Sequence, residues 1–267
     1  MFREYIKMGA IMNKTVLIAG GCGLLGSEFS KTLRENYKVV ILDLSNKINY
    51  LNRRGDEFNE NYVGYNVDIT NENDVLLITK HIYTIFGSID ILINCAAINP
   101  IPKEGEDNSF ENYTLKRWTD TLEINLSGSF ILSKECIKYM LKNSNEGFKG
   151  TIINISSDLG IITSDQDIYE NGYIKPPDYG VSKAGIIQLT KYMAAYYRDK
   201  IKSVCLAPGS IYNGQSETLV KNLERRIPIG RLARSNEYNE AIKFLCSSGS
   251  DYFQGQTLVM DGGRTII

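Results

Sequence analysis

The sequence predicts an α/β protein built on a doubly wound parallel sheet of about seven strands with helices on both faces. Short apolar, partly β-branched runs alternate with longer helical patterns along the chain. This alternation is typical of parallel strands joined by crossover helices. A glycine-rich turn follows the first apolar run, and an acidic residue ends the second. Together these features predict a Rossmann-like sheet that binds a dinucleotide.

Composition indicates one globular domain in a chain of 267 residues, with 43% hydrophobic and 23% charged residues. We expect residues 14–267 to form this domain and residues 1–13 to be a flexible N-terminal extension, because the extension lacks a long apolar core. The net charge of −1 provides no general attraction to nucleic acid or anionic membranes. No run approaches the ~18 apolar residues of a membrane span. These features predict a cytoplasmic protein without nucleic-acid or membrane partners.

The cysteines and the histidine argue against metal and histidine-based chemistry. The five cysteines are scattered without a CxxC pair, which is typical of free thiols in a reducing compartment. His81 is the only histidine in the sequence. A histidine-based catalytic triad and a zinc site built on histidines are therefore not expected, and we predict no metal site.

The first predicted strand covers residues 14–19 and leads into a turn with Gly20, Gly23 and Gly26, followed by a helix. Glycines at this spacing let a backbone turn sharply and approach a diphosphate. The first helical N–H groups and the positive end of the helix dipole then face the anion. An ordinary strand–turn–helix without a ligand is the alternative for this motif taken alone.

The second predicted strand favours the dinucleotide interpretation. It covers residues 37–43 and ends at Asp43, 23 positions after Gly20. An acid at about this distance accepts hydrogen bonds from the adenosine ribose and repels a 2′-phosphate. The nearest arginines, Arg53 and Arg54, follow only after a polar loop. The sequence therefore favours NAD over NADP.

The remaining elements continue the alternation. Further strands are expected at 62–67, 89–94, 150–157, 201–206 and 256–260. Helices are expected from a cap at Thr70 or Asn71 to about Phe86, at 115–141, after Tyr179, and near 236–246. The fifth strand runs into two hydroxyl residues, Ser156 and Ser157.

Tyr179 and Lys183 form a candidate proton-transfer pair. They stand four positions apart in a helical pattern, so their side chains share one face. A lysine cation beside a phenol is expected to lower the tyrosine pKa from its usual value of about 10. Such a pair suits proton transfer to or from an alcohol or carbonyl. The alternative is a solvated lysine packed over a tyrosine ring.

Taken together, these residues resemble the short-chain dehydrogenase/reductase family over essentially all of residues 14–267. The resemblance implies a catalytic set of Asn125, Ser157, Tyr179 and Lys183, with Ser156 as the adjacent alternative to Ser157. It implies cofactor contacts from Tyr179, Lys183 and the following residues: Gly20, Gly23, Leu24, Leu25, Gly26, Asp43, Leu44, Asp68, Ile69, Asn94, Cys95, Ala96, Pro208, Gly209 and Ile211. The sequence departs from the family pattern at Cys95, Ala97 and Asn213.

The same resemblance implies a mechanism and an assembly. Tyr179 would be the acid/base for the substrate oxygen, and Lys183 would lower its pKa and bind the nicotinamide ribose. Ser157 would hydrogen-bond the substrate oxygen, and Asn125 would position a carbonyl and a water for proton relay. A homotetramer or homodimer is implied, using helices 115–141 and 179–198 and the C-terminal strand.

The segment 158–178 is expected to carry substrate specificity, with further substrate loops at 99–113 and 209–231. Tyr179 lies 22 positions after Ser157, a segment about twice as long as in the family. Its aromatic, acidic and amide side chains suit a hydroxyl-rich ligand, and we predict substrate contacts from Ser157, Tyr169, Tyr173 and Lys175. Basic residues near the third loop could meet a phosphate or nucleotide, or form a solvated helix face: Lys221, Arg225, Arg226 and Arg231.

The sequence of residues 157–185 resembles that of reductases of bacterial surface-glycan and flagellin modification. This predicts an NAD(H)-dependent oxidoreductase acting on a sugar, sugar phosphate or nucleotide sugar. A 3-oxoacyl-thioester reductase or a gluconate- or polyol-type dehydrogenase is the alternative within the family. A non-catalytic dinucleotide-binding regulatory module is the alternative outside enzymology.

Overall fold

The structure is a computed structural model that describes residues 14–44, 48, 60–100, 107–170 and 172–267. The predicted N-terminal extension, Arg53 and Arg54 lie outside the described residues.

Seven strands among the described residues form one parallel sheet in the order β3-β2-β1-β4-β5-β6-β7. The strands are β1 (Thr15–Ala19), β2 (Lys38–Asp43), β3 (Tyr62–Asn66), β4 (Ile91–Asn94), β5 (Gly150–Ile155), β6 (Ile201–Pro208) and β7 (Thr257–Met260). This order reverses at β1, from which the chain winds outward in both directions. The predicted doubly wound α/β sheet is confirmed.

Helices connect the strands. They are α1 (Leu24–Leu33), α2 (Glu72–Phe86), α3 (Leu115–Leu122), α4 (Ser129–Met140), α5 (Pro177–Tyr197), α6 (Glu217–Glu224) and α7 (Asn239–Cys246). The predicted cap of α2 is Asn71, whose side-chain oxygen accepts hydrogen bonds from the amides of Asn73 and Asp74. A π-helical turn, Glu123–Gly128, joins α3 to α4, where the sequence predicted one uninterrupted helix.

The hydrophobic core lies on both faces of the sheet. Successive residues of a strand point to opposite faces, so Val16 and Ile18 join one cluster while Leu17 and Ala19 join the other. Helices α1 and α7 cover the first face, and α2 and α4 cover the second. Burial on both faces explains why the central strands are apolar runs rather than alternating patterns.

All strand C-termini lie at the same edge because the strands are parallel. Ligands of doubly wound sheets bind at this edge, where the strand order reverses. Here the reversal lies between β1 and β4. Most of the residues predicted to bind a cofactor or catalyse a reaction follow the C-terminal ends of these strands.

Candidate active site

The glycine turn between β1 and α1 is closely packed. Gly20 has a φ of +72°, and a Cβ there would lie 2.6 Å from the Cα of Ala96. A Cβ on Gly26 would lie 2.1 Å from the Gly20 carbonyl oxygen. Only glycine therefore lets α1 begin so close to the strand end. This geometry fits a dinucleotide diphosphate above the N-terminus of α1.

Asp43 is fixed beside this turn at the end of β2. Its Oδ2 accepts a hydrogen bond from the Cys22 amide at 2.8 Å, and its Oδ1 accepts one from the Leu44 amide at 2.8 Å. The Asp43 carboxylate therefore joins the end of β2 to the glycine turn. Leu24 and Leu44 are exposed at the same edge, whereas Leu25 packs partly against the core.

Asp68 and Ile69, which follow β3, differ in orientation. Asp68 is exposed, and its Oδ1 accepts hydrogen bonds from the amide and the hydroxyl of Thr70. Ile69 is buried, and its side chain packs against Gly128 so closely that a Cβ added there would clash with it. The Ile69 side chain thus belongs to the core, so the predicted contact with adenine would have to come from its main chain.

Asn94, at the end of β4, has a structural role that the sequence did not predict. Its Nδ2 donates to Ser133 Oγ at 2.9 Å and to Asn154 Oδ1 at 2.8 Å. Asn154 in turn donates to Thr190 Oγ1. This buried network joins two strands to α4 and α5, so the Asn94 side chain is directed into the fold. Cys95, whose amide donates to Ala19, continues toward the glycine turn.

The loop after β6 closes the opposite side of the edge. The Gly209 amide donates to Met260, and a Cβ on Gly209 would lie 2.6 Å from the Cα of Asp261. Pro208 ends β6 in register with Met260. Ile211 forms a bridge with Ala233. The predicted cofactor residues in this loop are therefore held against the C-terminal turn.

Tyr179 and Lys183 lie in the first turns of α5, at the centre of the strand edge. The Lys183 ammonium lies 5.7 Å from the centroid of the Tyr179 ring and donates a hydrogen bond to the Ile155 carbonyl at 2.8 Å. Lys183 is buried, and this burial lowers its pKa. The predicted pairing on one helix face is present.

The predicted lowering of the Tyr179 pKa is wrong for this structure. Burial raises the pKa of Tyr179 to about 12, and an interaction with the Ser157 hydroxyl opposes the rise only in part. Desolvation disfavours the phenolate, and the Lys183 ammonium is hydrogen-bonded to a backbone carbonyl instead. Tyr179 is therefore a neutral phenol, which is the form that donates a proton.

Ser157, not Ser156, faces Tyr179. Ser156 Oγ donates to the Lys183 carbonyl at 2.8 Å, which ties β5 to α5. Ser157 Oγ donates to Asp158 Oδ1 at 2.7 Å and accepts from the Leu159 amide at 3.2 Å. The geometry therefore favours Ser157 over its neighbour as the hydroxyl available to a substrate.

Asn125 lies in the π-helical turn and is 1% exposed. Its side chain accepts from the Ile98 amide at 2.8 Å, and it donates to the Ile98 carbonyl at 2.9 Å and to Ser182 Oγ at 3.0 Å. These bonds join the loop after β4 to α5. A π-helical turn leaves backbone groups without their regular partners and is frequent at functional sites.

A buried ion pair behind Ser157 was missed from the sequence. Arg264 Nη1 donates to Asp158 Oδ2 at 2.8 Å and to Ser210 Oγ at 3.2 Å. The side chains of Arg264 and Asp158 are only 6% and 3% exposed. The acid directly after Ser157 was visible in the sequence, but its partner lies 106 positions away. The C-terminal turn therefore contacts the catalytic strand end.

Asp178, directly before Tyr179, was missed as well. It is fully buried, and its Oδ2 accepts from the hydroxyls of Tyr113 at 2.7 Å and Thr121 at 2.5 Å. Its Oδ1 accepts from the Tyr179 amide at 2.8 Å. These bonds fix the start of α5, and hence Tyr179, against α3.

The long segment 158–178 is packed against α6. Ile168 joins a small apolar cluster with Leu223, Ile227 and Leu232. Asn222 donates to the Ile168 carbonyl at 2.9 Å. Arg226 pairs with Asp165 at 2.7 Å, so this predicted phosphate ligand has an acidic partner. Two further predicted cations also lie beside acids, namely Lys221 at Glu217 and Arg231 at Glu237.

Three of the predicted substrate residues belong to this segment, namely Tyr169, Tyr173 and Lys175. The rings of Tyr169 and Tyr173 are 4.8 Å apart and tilted by 42°. The negative charge of Asp158 acts on the Tyr169 phenol, and the negative charge of Asp178 acts on the Tyr173 phenol. Burial raises the pKa of Tyr173 to about 12, so this phenol is neutral. Lys175 is buried with its ammonium 5.1 Å from the centroid of the Tyr179 ring.

A cleft of about 400 Å³ lies on the outer side of this segment, lined by side chains that include Phe110, Ile161 and Val181. Ser157 and Tyr179 are not among its lining residues, so this cleft lies next to these two predicted catalytic residues and does not contain them.

The described residues lack two features, a membrane-spanning helix and a cluster of metal ligands. None of their helices is long and apolar enough to cross a membrane. The same part of the chain holds no group of three or more histidine, cysteine, aspartate or glutamate residues placed to bind a metal ion.

Comparisons with known proteins agree with this geometry. A sequence model of the family described as enoyl-(acyl carrier protein) reductase matches residues 26–265. The chain is 30% identical over 261 residues to the 3-oxoacyl-(acyl-carrier-protein) reductase FabG of Vibrio cholerae, which covers 95% of this chain and 98% of that protein. It is 26% identical over 256 residues to the post-translational flagellin modification protein A of Campylobacter coli, with 94% and 98% covered.

Two further similarities concern length and structure. The chain is 29% identical over 259 residues to an uncharacterized short-chain type dehydrogenase/reductase of Sinorhizobium fredii, but this match covers 43% of that longer protein and 94% of this chain. A crystal structure of a short chain dehydrogenase from Leptospira borgpetersenii with bound NAD+ has a TM-score of 0.80 at 31% identity. That similarity covers 94% of this chain and 92% of the other.

Proposed function

The chain belongs to the short-chain dehydrogenase/reductase family, and we propose that it transfers a hydride between NAD(H) and a carbonyl or secondary alcohol of a sugar derivative. The observation that carries this proposal is the arrangement of Ser157, Tyr179 and Lys183 at the strand edge next to the glycine turn, with Ser157 and Lys183 buried on either side of a partly exposed Tyr179 in the sequence. The cofactor, when bound, supplies the hydride-transferring carbon. The protein supplies orientation and proton transfer.

Tyr179 is the proposed proton donor to the substrate oxygen during carbonyl reduction. Its high pKa keeps the phenol protonated at neutral pH, so the proton is available for a developing alkoxide. Ser157, whose hydroxyl already interacts with Tyr179, would hold the same substrate oxygen. In the oxidation direction Tyr179 would have to lose its own proton before it could accept one from the substrate hydroxyl.

Lys183 and Asn125 are the proposed supporting groups. The Lys183 ammonium bonds to the Ile155 carbonyl and has donors left for the nicotinamide ribose. Asn125 fixes the loop after β4 against α5, which sets the position of the helix that carries Tyr179 and Lys183. Asp43 would accept from the adenosine ribose hydroxyls, which supports NAD rather than NADP.

A sugar, sugar phosphate or nucleotide sugar is the proposed substrate, in surface-glycan or flagellin modification. The segment 158–178 offers two neighbouring phenol rings, Tyr169 and Tyr173, together with the polar side chains of Gln166 and Lys175. Aromatic faces with nearby hydrogen-bonding groups suit hydroxyl-rich rings. The similarity to the flagellin modification protein A of Campylobacter coli supports the same class. Segments 99–113 and 209–231 are proposed as the other substrate loops.

Reduction of a 3-oxoacyl thioester is the second candidate. It is favoured by the 30% identity to FabG and by the description of the matching family. The polar character of the segment 158–178 favours the sugar derivative over an acyl chain.

We also propose a cytoplasmic homodimer or homotetramer. Side chains on the outer faces of α4 and α5 are exposed although they are apolar or aromatic: Phe130, Val181, Tyr192 and Tyr196. Exposed apolar patches of this kind mark interaction sites. Their position on the helices 115–141 and 179–198 supports the predicted assembly.

A substrate screen tests the proposed function. The purified chain is assayed with NAD(H) and NADP(H) against sugars, sugar phosphates, nucleotide sugars and acetoacetyl thioesters, following absorbance of the reduced nicotinamide. We expect turnover of a sugar derivative with preference for NAD(H). Turnover of thioesters with no activity toward any sugar derivative would instead establish the second candidate.

A further inference from the structure

Lys175 is a buried cation beside the catalytic tyrosine. Its side chain is 7% exposed, and its ammonium lies over the Tyr179 ring at 5.1 Å from the centroid. The ammonium donates to Asn99 Oδ1, in the loop after β4. Its backbone is fixed by Gln166, whose side chain accepts from the Lys175 amide and donates to the Lys175 carbonyl. The position is therefore built by three separate segments.

This cation has no acidic hydrogen-bond partner among the described residues. The negative charge of Asp178 acts on Lys175, but no hydrogen bond or ion pair joins the two side chains among the described residues. The oxygens of Asp178 instead accept from Tyr113, Thr121 and the Tyr179 amide. In the described part of the chain the Lys175 ammonium therefore uses one of its three donors, on a neutral amide oxygen.

A buried ammonium without a counter-ion is energetically unfavourable. Burial lowers the pKa of Lys175 to about 8, with Asp178 opposing the shift. The other basic residues near the site differ, because Arg226 and Arg231 are paired with acids. Lys183, the other cation beside Tyr179, is assigned to the nicotinamide ribose, so Lys175 is the cation beside Tyr179 whose remaining donors are available to a substrate.

We propose that Lys175 binds an anionic group of the substrate, a carboxylate or a phosphate, separated by only a few bonds from the carbon that exchanges hydride. This inference rests on the proposed function and narrows its substrate class to sugar acids and sugar phosphates. The anion supplies the counter-ion that the described residues do not provide, and Asn99 and the Tyr179 ring hold the ammonium in place for it. Neutral sugars would lack this contact.

The titration of Lys175 gives the expected pH dependence. The ammonium is charged below about pH 8 and loses its proton as the pH rises through that value. Asp178 acts on the ammonium from α5, and Lys183 lies 5.7 Å from the centroid of the same tyrosine ring, while Tyr179 itself is neutral throughout this range. Anion binding is therefore expected to weaken between pH 7 and pH 9.

Thermal unfolding of the NADH complex tests the inference without requiring turnover. D-gluconate, D-glucose 6-phosphate and D-glucose are added at equal concentration and constant ionic strength. A ligand that binds the folded state raises the Tm. We expect one or both anions, but not D-glucose, to raise the Tm at pH 7, and the shift to shrink at pH 9. The two anions distinguish a carboxylate site from a phosphate site.

Variants assign the effect to Lys175. Lys175→Met keeps the side-chain length and removes the charge, so the anion-dependent shift should disappear; Lys175→Arg should retain part of it. Lys243→Met, at an exposed lysine beside Glu240 and outside the proposed substrate loops, is the matched control and should keep the full shift. An unchanged shift in Lys175→Met, or no shift with either anion in the wild type, overturns the inference.

The two proposals fail differently. Anion binding that depends on Lys175 without turnover of any sugar derivative would leave the subsite intact and refute the proposed function. Turnover of a neutral sugar with a KM that Lys175→Met does not change would support the proposed function and refute the subsite.

Discussion

Replacing Arg264 by methionine should destabilise the protein strongly, because it leaves the Asp158 carboxylate buried without a cation. The two side chains are 6% and 3% exposed, with 2.8 Å between Nη1 and Oδ2. Breaking one partner of such a pair costs about 3–5 kcal/mol. Asp158 would keep only its bonds from the Ser157 hydroxyl and the Leu159 amide. Equilibrium urea denaturation followed by circular dichroism measures the loss.

A double-mutant cycle separates the ion pair from general damage at the C-terminus. Asp158→Asn combined with Arg264→Met removes both charges, so the double variant should be more stable than the sum of the single effects by about 1–3 kcal/mol. Arg226→Met is the surface control. Its pair with Asp165 is 45% and 33% exposed, and the expected cost is below about 1 kcal/mol. A cost for Arg264→Met as small as that of the control, or strict additivity, would refute the reasoning.

Two further predictions concern the cofactor edge. Asp43→Asn keeps an oxygen for the Cys22 amide but removes the negative charge. The ratio of kcat/KM for NADH to kcat/KM for NADPH should therefore fall by about tenfold or more, which is equivalent to about 1.4 kcal/mol. An unchanged ratio would exclude Asp43 as the residue that selects NADH. Asn94→Ala should lower the free energy of unfolding by about 1–3 kcal/mol, because Asn154 loses a buried partner, while the Kd for NADH changes little. A large loss of NADH affinity without destabilisation would instead return Asn94 to the cofactor site.

Local patterns in the sequence predicted the sheet and much of the edge. Strands such as β1 and β2 were recognisable because burial on both faces requires apolar runs. Asp43 and the glycine turn were predictable because close backbone approach limits both positions to few residue types. Asn71 was one of two proposed caps, and its amide neighbours confirm it.

The errors arose where distant segments meet. The Tyr179 pKa depends on burial by the surrounding loops, which the i, i+4 spacing to Lys183 does not reveal. Arg264 reaches Asp158 only because the C-terminal turn packs against the end of β5. Asn94 stays a predicted cofactor contact, and its side-chain amide also joins β5 to α4, a role that the sequence did not reveal. Each of these features depends on a long-range contact rather than on a local motif.

The most direct test of the central claim is the activity of Tyr179→Phe on the best substrate from the screen. Phenylalanine keeps the ring that Lys175 and Lys183 both contact and removes only the hydroxyl. Binding of NADH, measured by fluorescence titration, should be unchanged, whereas kcat should fall by about 10²–10⁴-fold. A Tyr179→Phe enzyme that binds NADH and retains wild-type kcat would contradict the assignment of Tyr179 as the proton donor.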